Sequence, residues 1–417
     1  MERIIITGGE RLKGRVRISG SKNAALPIMA ATLLTNGVTT LSNIPHLKDV
    51  TTMARVLRTL GAKVEFREKE LKIDTTNVDR FLAPYNLVKT MRASFLVFGP
   101  LLAKLGKARV SLPGGCAIGS RPVDLHLRGF EELGAEVSMG GGYTQVRKDG
   151  LTGAEIYLDF PSVGATENLM MAATLAKGKT IIENAAKEPE VVDLANFLNK
   201  MGAKIEGAGR DTIKISGVRE LKATDYSIIP DRIEAGTYMI ASVITRGDVT
   251  LEGARIDHLE ALITKLHEAG VEIRDEGEAI RVKARERIKA VDVKTMPYPG
   301  FPTDMQAQFM ALMSITPGIS MITETVFENR FMHVSELLRM GAEIKIEGST
   351  AVVKGVKSLS GAPVMATDLR ASAALILAGL VAKGKTEISR IYHLDRGYER
   401  IVEKLSNLGA RIERIKV

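Results

Sequence analysis

Tryptophan is absent from this chain and cysteine occurs once, at Cys116. A lone cysteine excludes an intrachain disulfide framework, so nothing in the sequence calls for an oxidising compartment. Aromatic residues make up only 5% of the 417 residues, which removes the stacking platforms that usually hold single-stranded nucleic acid. No apolar run free of charge approaches the roughly 20 residues of a membrane-spanning helix. The start, Met1-Glu2-Arg3-Ile4-Ile5-Ile6-Thr7-Gly8-Gly9, reads as a strand entering a turn rather than as a secretory signal, and a cytoplasmic location is expected. The six histidines, from His46 to His393, show no zinc-type spacing, so neither a metal nor another cofactor is expected. A serine-centred nucleophile elbow is also missing, which leaves ordinary hydrolase chemistry without support.

What is present is an ordinary globular composition, 45% hydrophobic and 26% charged. The formal charge of +9 favours anionic partners. Lys and Arg are dispersed rather than gathered in runs, which together with the scarce aromatics favours small anionic ligands over nucleic acid or a membrane.

Self-similarity organises the chain. Leu60-Gly61-Ala62, Leu133-Gly134-Ala135, Met201-Gly202-Ala203, Ala269-Gly270-Val271, Met340-Gly341-Ala342 and Leu408-Gly409-Ala410 recur at intervals of roughly 70 residues, and predict six repeats. Each begins with a helix of small and apolar residues, such as 23–35, 164–177, 304–316 or 368–383, and a helix apolar all round is expected to be buried. A glycine turn follows, at Gly37, Gly106, Gly178, Gly247, Gly318 or Gly384, and then a short strand. The period next changes to that of a helix with one solvent face, as in 191–201, 258–269, 331–340 and 398–408, before the Gly-Ala stop leads into a hairpin.

The sixth repeat lacks a closing segment at its end, while 4–18 resembles the segments 213–229 and 352–365 that close earlier repeats. Residues 1–21 are therefore expected to complete the sixth repeat. This divides the chain into a three-repeat domain, 22–229, and a discontinuous one, 1–21 with 230–417. The expected fold class is α/β, with buried helices, surrounding sheets and an active site in the cleft between two similar halves.

Chemistry is sought where a repeat departs from its structural needs. The second copy carries an insertion, Pro113-Gly114-Gly115-Cys116-Ala117-Ile118-Gly119-Ser120-Arg121-Pro122, which reads as a glycine-rich lid. Cys116 is either a small buried hydrophobe or, with flanking glycines and a cation five residues on, an acidified thiol. Lys22, Arg92, Arg232 and Arg370 lie near the first helix of their repeats, and Arg121, Arg330 and Arg396 near the second. Cations at helix N-termini forgo favourable dipole electrostatics, so the set reads as anion sites, although any single one by itself reads first as a solvated surface charge. Asp304 either caps the helix that follows it or faces the cleft as a general base, whereas Asp231 and Asp368 read as caps. Gly379 to Thr386 satisfies the phosphate-loop pattern but ends a helix and begins a strand, the reverse of what that loop requires.

Several longer motifs carry a resemblance to a family. Gly20-Ser21-Lys22-Asn23-Ala24-Ala25-Leu26-Pro27, Lys89-Thr90-Met91-Arg92-Ala93-Ser94, Leu112-Pro113-Gly114-Gly115-Cys116, Arg121-Pro122-Val123-Asp124-Leu125-His126, Phe301-Pro302-Thr303-Asp304-Met305-Gln306, Glu328-Asn329-Arg330-Phe331 and Asp395-Arg396-Gly397-Tyr398-Glu399 resemble the UDP-N-acetylglucosamine 1-carboxyvinyltransferases of bacterial peptidoglycan synthesis. The resemblance runs from the first strand to the last. It implies a two-domain, six-repeat, inside-out α/β barrel shared with the shikimate-pathway enolpyruvyl transferase, and phosphoenolpyruvate and UDP-N-acetylglucosamine as substrates.

The resemblance also implies roles. Cys116 would be the general acid, alkylated by fosfomycin and able to carry a phosphoenolpyruvate adduct, and Asp304 the base. Lys22, Arg121 and Arg396 would hold phosphate, and Arg330 and Arg370 the carboxylate or developing charge. Asn23, Arg92, Arg121, Pro122, Val123, Asp124, Leu125, Ser162, Val163 and Val326 would form the nucleotide-sugar site, with Phe160 standing where some members carry lysine. Two rival readings are a shikimate-3-phosphate enolpyruvyl transferase and a non-catalytic, nucleic-acid-binding repeat protein.

Overall fold

The computed structural model describes residues 2–89, 91–111, 123–284 and 287–416. The strands of the described residues form six four-stranded sheets with one repeated order. In each, a central strand such as Lys179–Glu183 pairs antiparallel with a return strand, Thr212–Ser216, which pairs antiparallel with an outer strand, Lys204–Glu206. A short strand, Glu155–Tyr157, runs parallel on the other side of the central one. Outer strands such as Lys63–Arg67, Glu343–Glu347 and Arg411–Lys416 are rich in charge, which discourages further edge-to-edge pairing.

The N-terminal segment serves two sheets. Glu2–Thr7 is the return strand of the sixth sheet, between Lys385–Ser389 and Arg411–Lys416 and antiparallel to both. Lys13–Arg17 instead runs parallel to Asp248–Glu252 as the edge of the fourth sheet. The expectation that the whole segment closes the sixth repeat thus holds for its first half only. A return strand must be followed by the edge strand of another sheet, and no sequence pattern says which one. In the other half of the chain Tyr226–Ser227 plays the same part, joining Val38–Ser42 of the first sheet.

By contact the described chain forms two compact units, one of residues 2–19 with 230–416 and one of 20–111 with 123–229. Each has its own apolar core. In the first, the helices Arg232–Ile244, Gln306–Met313 and Leu369–Val381 pack together. Their sequences carry apolar or small residues on every face, and nearly every residue is buried. In the second, Lys22–Ala31, Phe98–Leu105 and Val163–Ala173 play that part. The later helices of the repeats, for example Lys48–Thr59 and Pro189–Lys200, bury one face and expose the other.

Capping sets where the buried helices start. Ser21, Ser162, Asp231 and Asp368 each accept from backbone N–H groups of the first turn. All the predicted turn glycines except Gly247 have positive φ, for example 93° at Gly178 and 121° at Gly318. Gly247 is required for another reason: a Cβ there would sit 2.3 Å from the Leu12 carbonyl oxygen, and Arg246 takes the left-handed position instead. The false phosphate loop is, as expected, the end of a helix at Val381 and the start of a strand at Lys385.

Candidate active site

Asp304 does not cap its helix. It lies in the 3₁₀ turn Thr303–Met305, and no side chain caps the helix Gln306–Met313 that follows. Its carboxylate is turned instead to two guanidiniums: Arg330 Nη2 donates to Oδ1 at 2.8 Å and Arg370 Nη2 to Oδ2 at 2.8 Å. Both arginine side chains are 4% exposed, whereas Asp304 keeps 27% of its side chain accessible. Burial raises the carboxyl's proton affinity, but Arg370 and Arg330 outweigh it and hold Asp304 well below the usual carboxylate range.

The same two arginines are not saturated. Arg330 Nη1 and Arg370 Nη1 are buried and make no hydrogen bond. Buried donors without partners are costly, and donors paired around one carboxylate suit a planar, multiply charged anion. Arg370 comes from the first turn of Leu369–Val381, whose Asp368 cap accepts from the Arg370 N–H at 2.8 Å. Arg330 lies over the Phe327 ring at 5.4 Å.

Sequence reading missed Glu324, which builds this corner. Its Oε1 accepts from Val326 N, Phe327 N and Thr295 Oγ1, and its Oε2 from Thr303 Oγ1, all within 3.1 Å. It thereby fixes the turn carrying Val326 and the residue before Asp304. The signal was an acid immediately after the apolar strand Ile319–Thr323, at a position that proves to be buried. Arg396 closes the 3₁₀ turn Ile391–Arg396, two residues before the buried Tyr398.

The remaining described candidates belong to the unit of residues 20–111 with 123–229. Lys22 opens the buried helix after the Ser21 cap, with Asn23 beside it, and its ammonium is 3.5 Å from Asp49. Asp49 was also missed: it is 4% exposed in the first turn of Lys48–Thr59, a charge on the buried stripe of an amphipathic helix. Arg92 begins the 3₁₀ segment Arg92–Val97, Val123 and Asp124 begin a helix with Leu125 following, and Ser162 caps the helix opened by Val163. His126 draws these together. Its Nδ1 is 3.1 Å from Asn168 Nδ2, and its Cε1 is 3.4 Å from where a Cβ on Gly164 would lie. Burial, then the positive charge of Arg92, pushes the imidazole down to about 3, so it is neutral at physiological pH. Phe160 is exposed, which excludes packing in the core as its role in this structure. Cys116, Arg121 and Pro122 lie outside the described residues.

No group of three or more potential metal ligands is assembled among the described residues, and no described helix is long and apolar enough to cross a membrane. Buried cations around one carboxylate suit an anionic substrate.

Among solved structures, the enolpyruvyl transferase NikO from Streptomyces tendae matches with a TM-score of 0.90 at 26% identity, over 100% of this chain and 99% of that one. EPSP synthase from Acinetobacter baumannii matches over the full length of both chains with a TM-score of 0.78, and at 18% identity it speaks for the fold alone. The architecture is therefore that of the enolpyruvyl transferases.

The profile of the family described as EPSP synthase (3-phosphoshikimate 1-carboxyvinyltransferase) matches residues 6–405. A Carboxydothermus hydrogenoformans protein named UDP-N-acetylglucosamine 1-carboxyvinyltransferase 2 is 61% identical over the whole of both chains. A Trichlorobacter lovleyi protein named UDP-N-acetylglucosamine 1-carboxyvinyltransferase is 60% identical over 100% of this chain and 99% of its own. This chain belongs to the EPSP synthase family, within its UDP-N-acetylglucosamine 1-carboxyvinyltransferase branch.

Proposed function

We propose that this protein transfers the enolpyruvyl group of phosphoenolpyruvate to the 3-hydroxyl of UDP-N-acetylglucosamine, releasing phosphate, as the committing step of peptidoglycan synthesis in the cytoplasm. The observation that carries this reading is full-length similarity to proteins named for this reaction. The hydroxyl oxygen bonds to the central carbon of phosphoenolpyruvate while the methylene carbon takes a proton. Loss of that proton and of phosphate from the tetrahedral intermediate then restores the double bond.

Cys116 supplies the proton to the methylene carbon and Asp304 receives the one from the hydroxyl. Two guanidiniums stabilise the charge of Asp304 and lower its basicity. An incoming carboxylate or phosphate competes for Arg330 and Arg370, whose spare N–H groups already lack acceptors, and as their hold loosens the basicity of Asp304 rises. Lys22, Arg121 and Arg396 hold the phosphate. Asn23, Arg92, Arg121, Pro122, Val123, Asp124, Leu125, Ser162, Val163 and Val326 hold the nucleotide sugar.

Mixing the protein with phosphoenolpyruvate and UDP-N-acetylglucosamine is expected to release phosphate. Release only with shikimate 3-phosphate would move the activity to the sister reaction, and release with neither would refute both. Fosfomycin is expected to alkylate the protein once, read as a single mass increase with loss of turnover, and a Cys116→Ser variant is expected to show no such increase.

A further inference from the structure

Behind Asp304 and Arg370 lies a chain of buried hydrogen bonds whose direction can be worked out. The Asp304 carbonyl can only accept, so the Gln308 side chain must present its amide nitrogen to it, and Nε2 donates at 2.9 Å. The same nitrogen is 3.1 Å from the Tyr398 hydroxyl. Thr237 Oγ1 donates to the Ile233 carbonyl at 2.8 Å, so its proton is committed and it accepts across the 2.9 Å contact with Tyr398. The phenol therefore donates to Thr237 and accepts from Gln308. Its ring lies under the Arg370 guanidinium, 5.5 Å from the centroid, and its oxygen also interacts with that group.

Thr237, Gln308 and Tyr398 are all buried, and they come from three places in the chain: the helix Arg232–Ile244, the helix Gln306–Met313 and the segment after Arg396. A buried network with each proton assigned specifies one arrangement of the elements it joins. We infer that Tyr398 and Gln308 are positioning residues for the transfer reaction, holding the Asp304 backbone and the Arg370 guanidinium in the register that aims the base at the reacting hydroxyl. The inference rests on the proposed function for its catalytic consequence. Burial favours the neutral phenol, against the opposing charge of Arg370, so Tyr398 acts through geometry rather than by titrating.

The groups that set the proton affinity of Asp304 directly are Arg370 and Arg330. Asp231 and Tyr398 in turn bear on Arg370, and Asp368 lies with Arg330 around His333. A Tyr398→Phe variant keeps the ring under Arg370 but removes the acceptor and donor. Gln308→Met keeps the bulk and cannot donate to the Asp304 carbonyl. Either change frees Arg370 or the Asp304 turn to drift, which weakens the pairing and lets the carboxyl rise towards its ordinary value.

The experiment is a ¹³C NMR titration of the Asp304 carboxyl in the substrate-free protein, with steady-state kinetics on the same samples. Both variants are expected to move the Asp304 midpoint upwards, move the acid limb of the kcat profile in the same direction, and lower kcat on the order of ten- to a hundredfold. KM for the nucleotide sugar is expected to be unchanged. The double variant should cost less than the product of the two single losses, because the residues act as one unit. An unmoved Asp304 midpoint in both variants overturns the inference whatever the activity, and a moved midpoint with unchanged kcat overturns its catalytic part. Failure of the wild-type protein to release phosphate would instead count against the proposed function, since the titration needs no substrate.

Discussion

Asp304→Asn is expected to lower kcat by about 10²–10⁴-fold, the range for loss of a general base, while lowering KM for phosphoenolpyruvate. The two effects run in opposite senses for one reason. In the wild type Asp304 competes with the substrate's negative charges for Arg330 and Arg370. A neutral amide withdraws that competition, so the anion binds more tightly, but nothing remains to accept the hydroxyl proton. Steady-state kinetics with each substrate varied separately measures both constants. A kcat within threefold of wild type would remove Asp304 from the chemistry.

The pairing also bears on acid stability. The folded proton affinity of Asp304 lies well below the ordinary value of 3.8, so near and below that pH the folded protein holds fewer protons at this site than the unfolded chain. The stability it contributes is in place above 3.8 and is lost as pH falls through the lower folded value.

Lys404→Met is expected to destabilise the unit of residues 2–19 with 230–416 by about 3–5 kcal/mol, because it strands a buried carboxylate. Glu234 is 2% exposed and receives Lys404 Nζ at 2.7 Å. After the substitution, among the described residues, only the Ser19 backbone N–H, at 2.6 Å, still donates to it. The same ammonium reaches Ser19 Oγ at 2.7 Å, and that hydroxyl donates to Glu399, three residues beyond Arg396. The melting temperature of that unit should fall by about 10 °C.

The pH dependence of that loss has a definite sign. Burial raises the proton affinity of Glu234 above its ordinary value of 4.5 even with Lys404 opposing it. The folded protein therefore holds more protons there than the unfolded chain, and stability falls as pH rises from 4.5 through the folded value. Without Lys404 the folded value rises further and protonation relieves the stranded charge. The loss should consequently be larger at pH 8 than at pH 5, and equal losses at both would show that Lys404 acts by packing alone.

The amino-acid sequence by itself determined the repeat, because each copy must obey local rules. A helix apolar on every face has to be covered, a helix with one polar face has to lie outside it, and the Gly-Ala stop needs a residue free to take positive φ, as Gly202 does at 106°. These demands act over a few residues and leave periodic traces. They also made Asp231 and Asp368 legible as caps, since a cap bonds to N–H groups two and three residues away. The family resemblance was legible for the same reason: its motifs are contiguous.

Tertiary structure alone decided what depends on partners distant in the chain. Asp304 looked as much like a cap as like a base until Arg330 and Arg370, 26 and 66 residues on, were seen to take both of its oxygens. Asp49 and Glu324 had the same composition as solvated acids, and only their burial beside Lys22 and around the Val326 turn distinguishes them. Strand Lys13–Arg17 carries no mark of its pairing with Asp248–Glu252 across more than two hundred residues, because a parallel edge strand needs only backbone groups and alternation, which any sheet of the six could have matched. Electrostatics follows the same logic. Proton affinity is set by burial and by charges a few ångströms away, and neither quantity exists until the chain has folded.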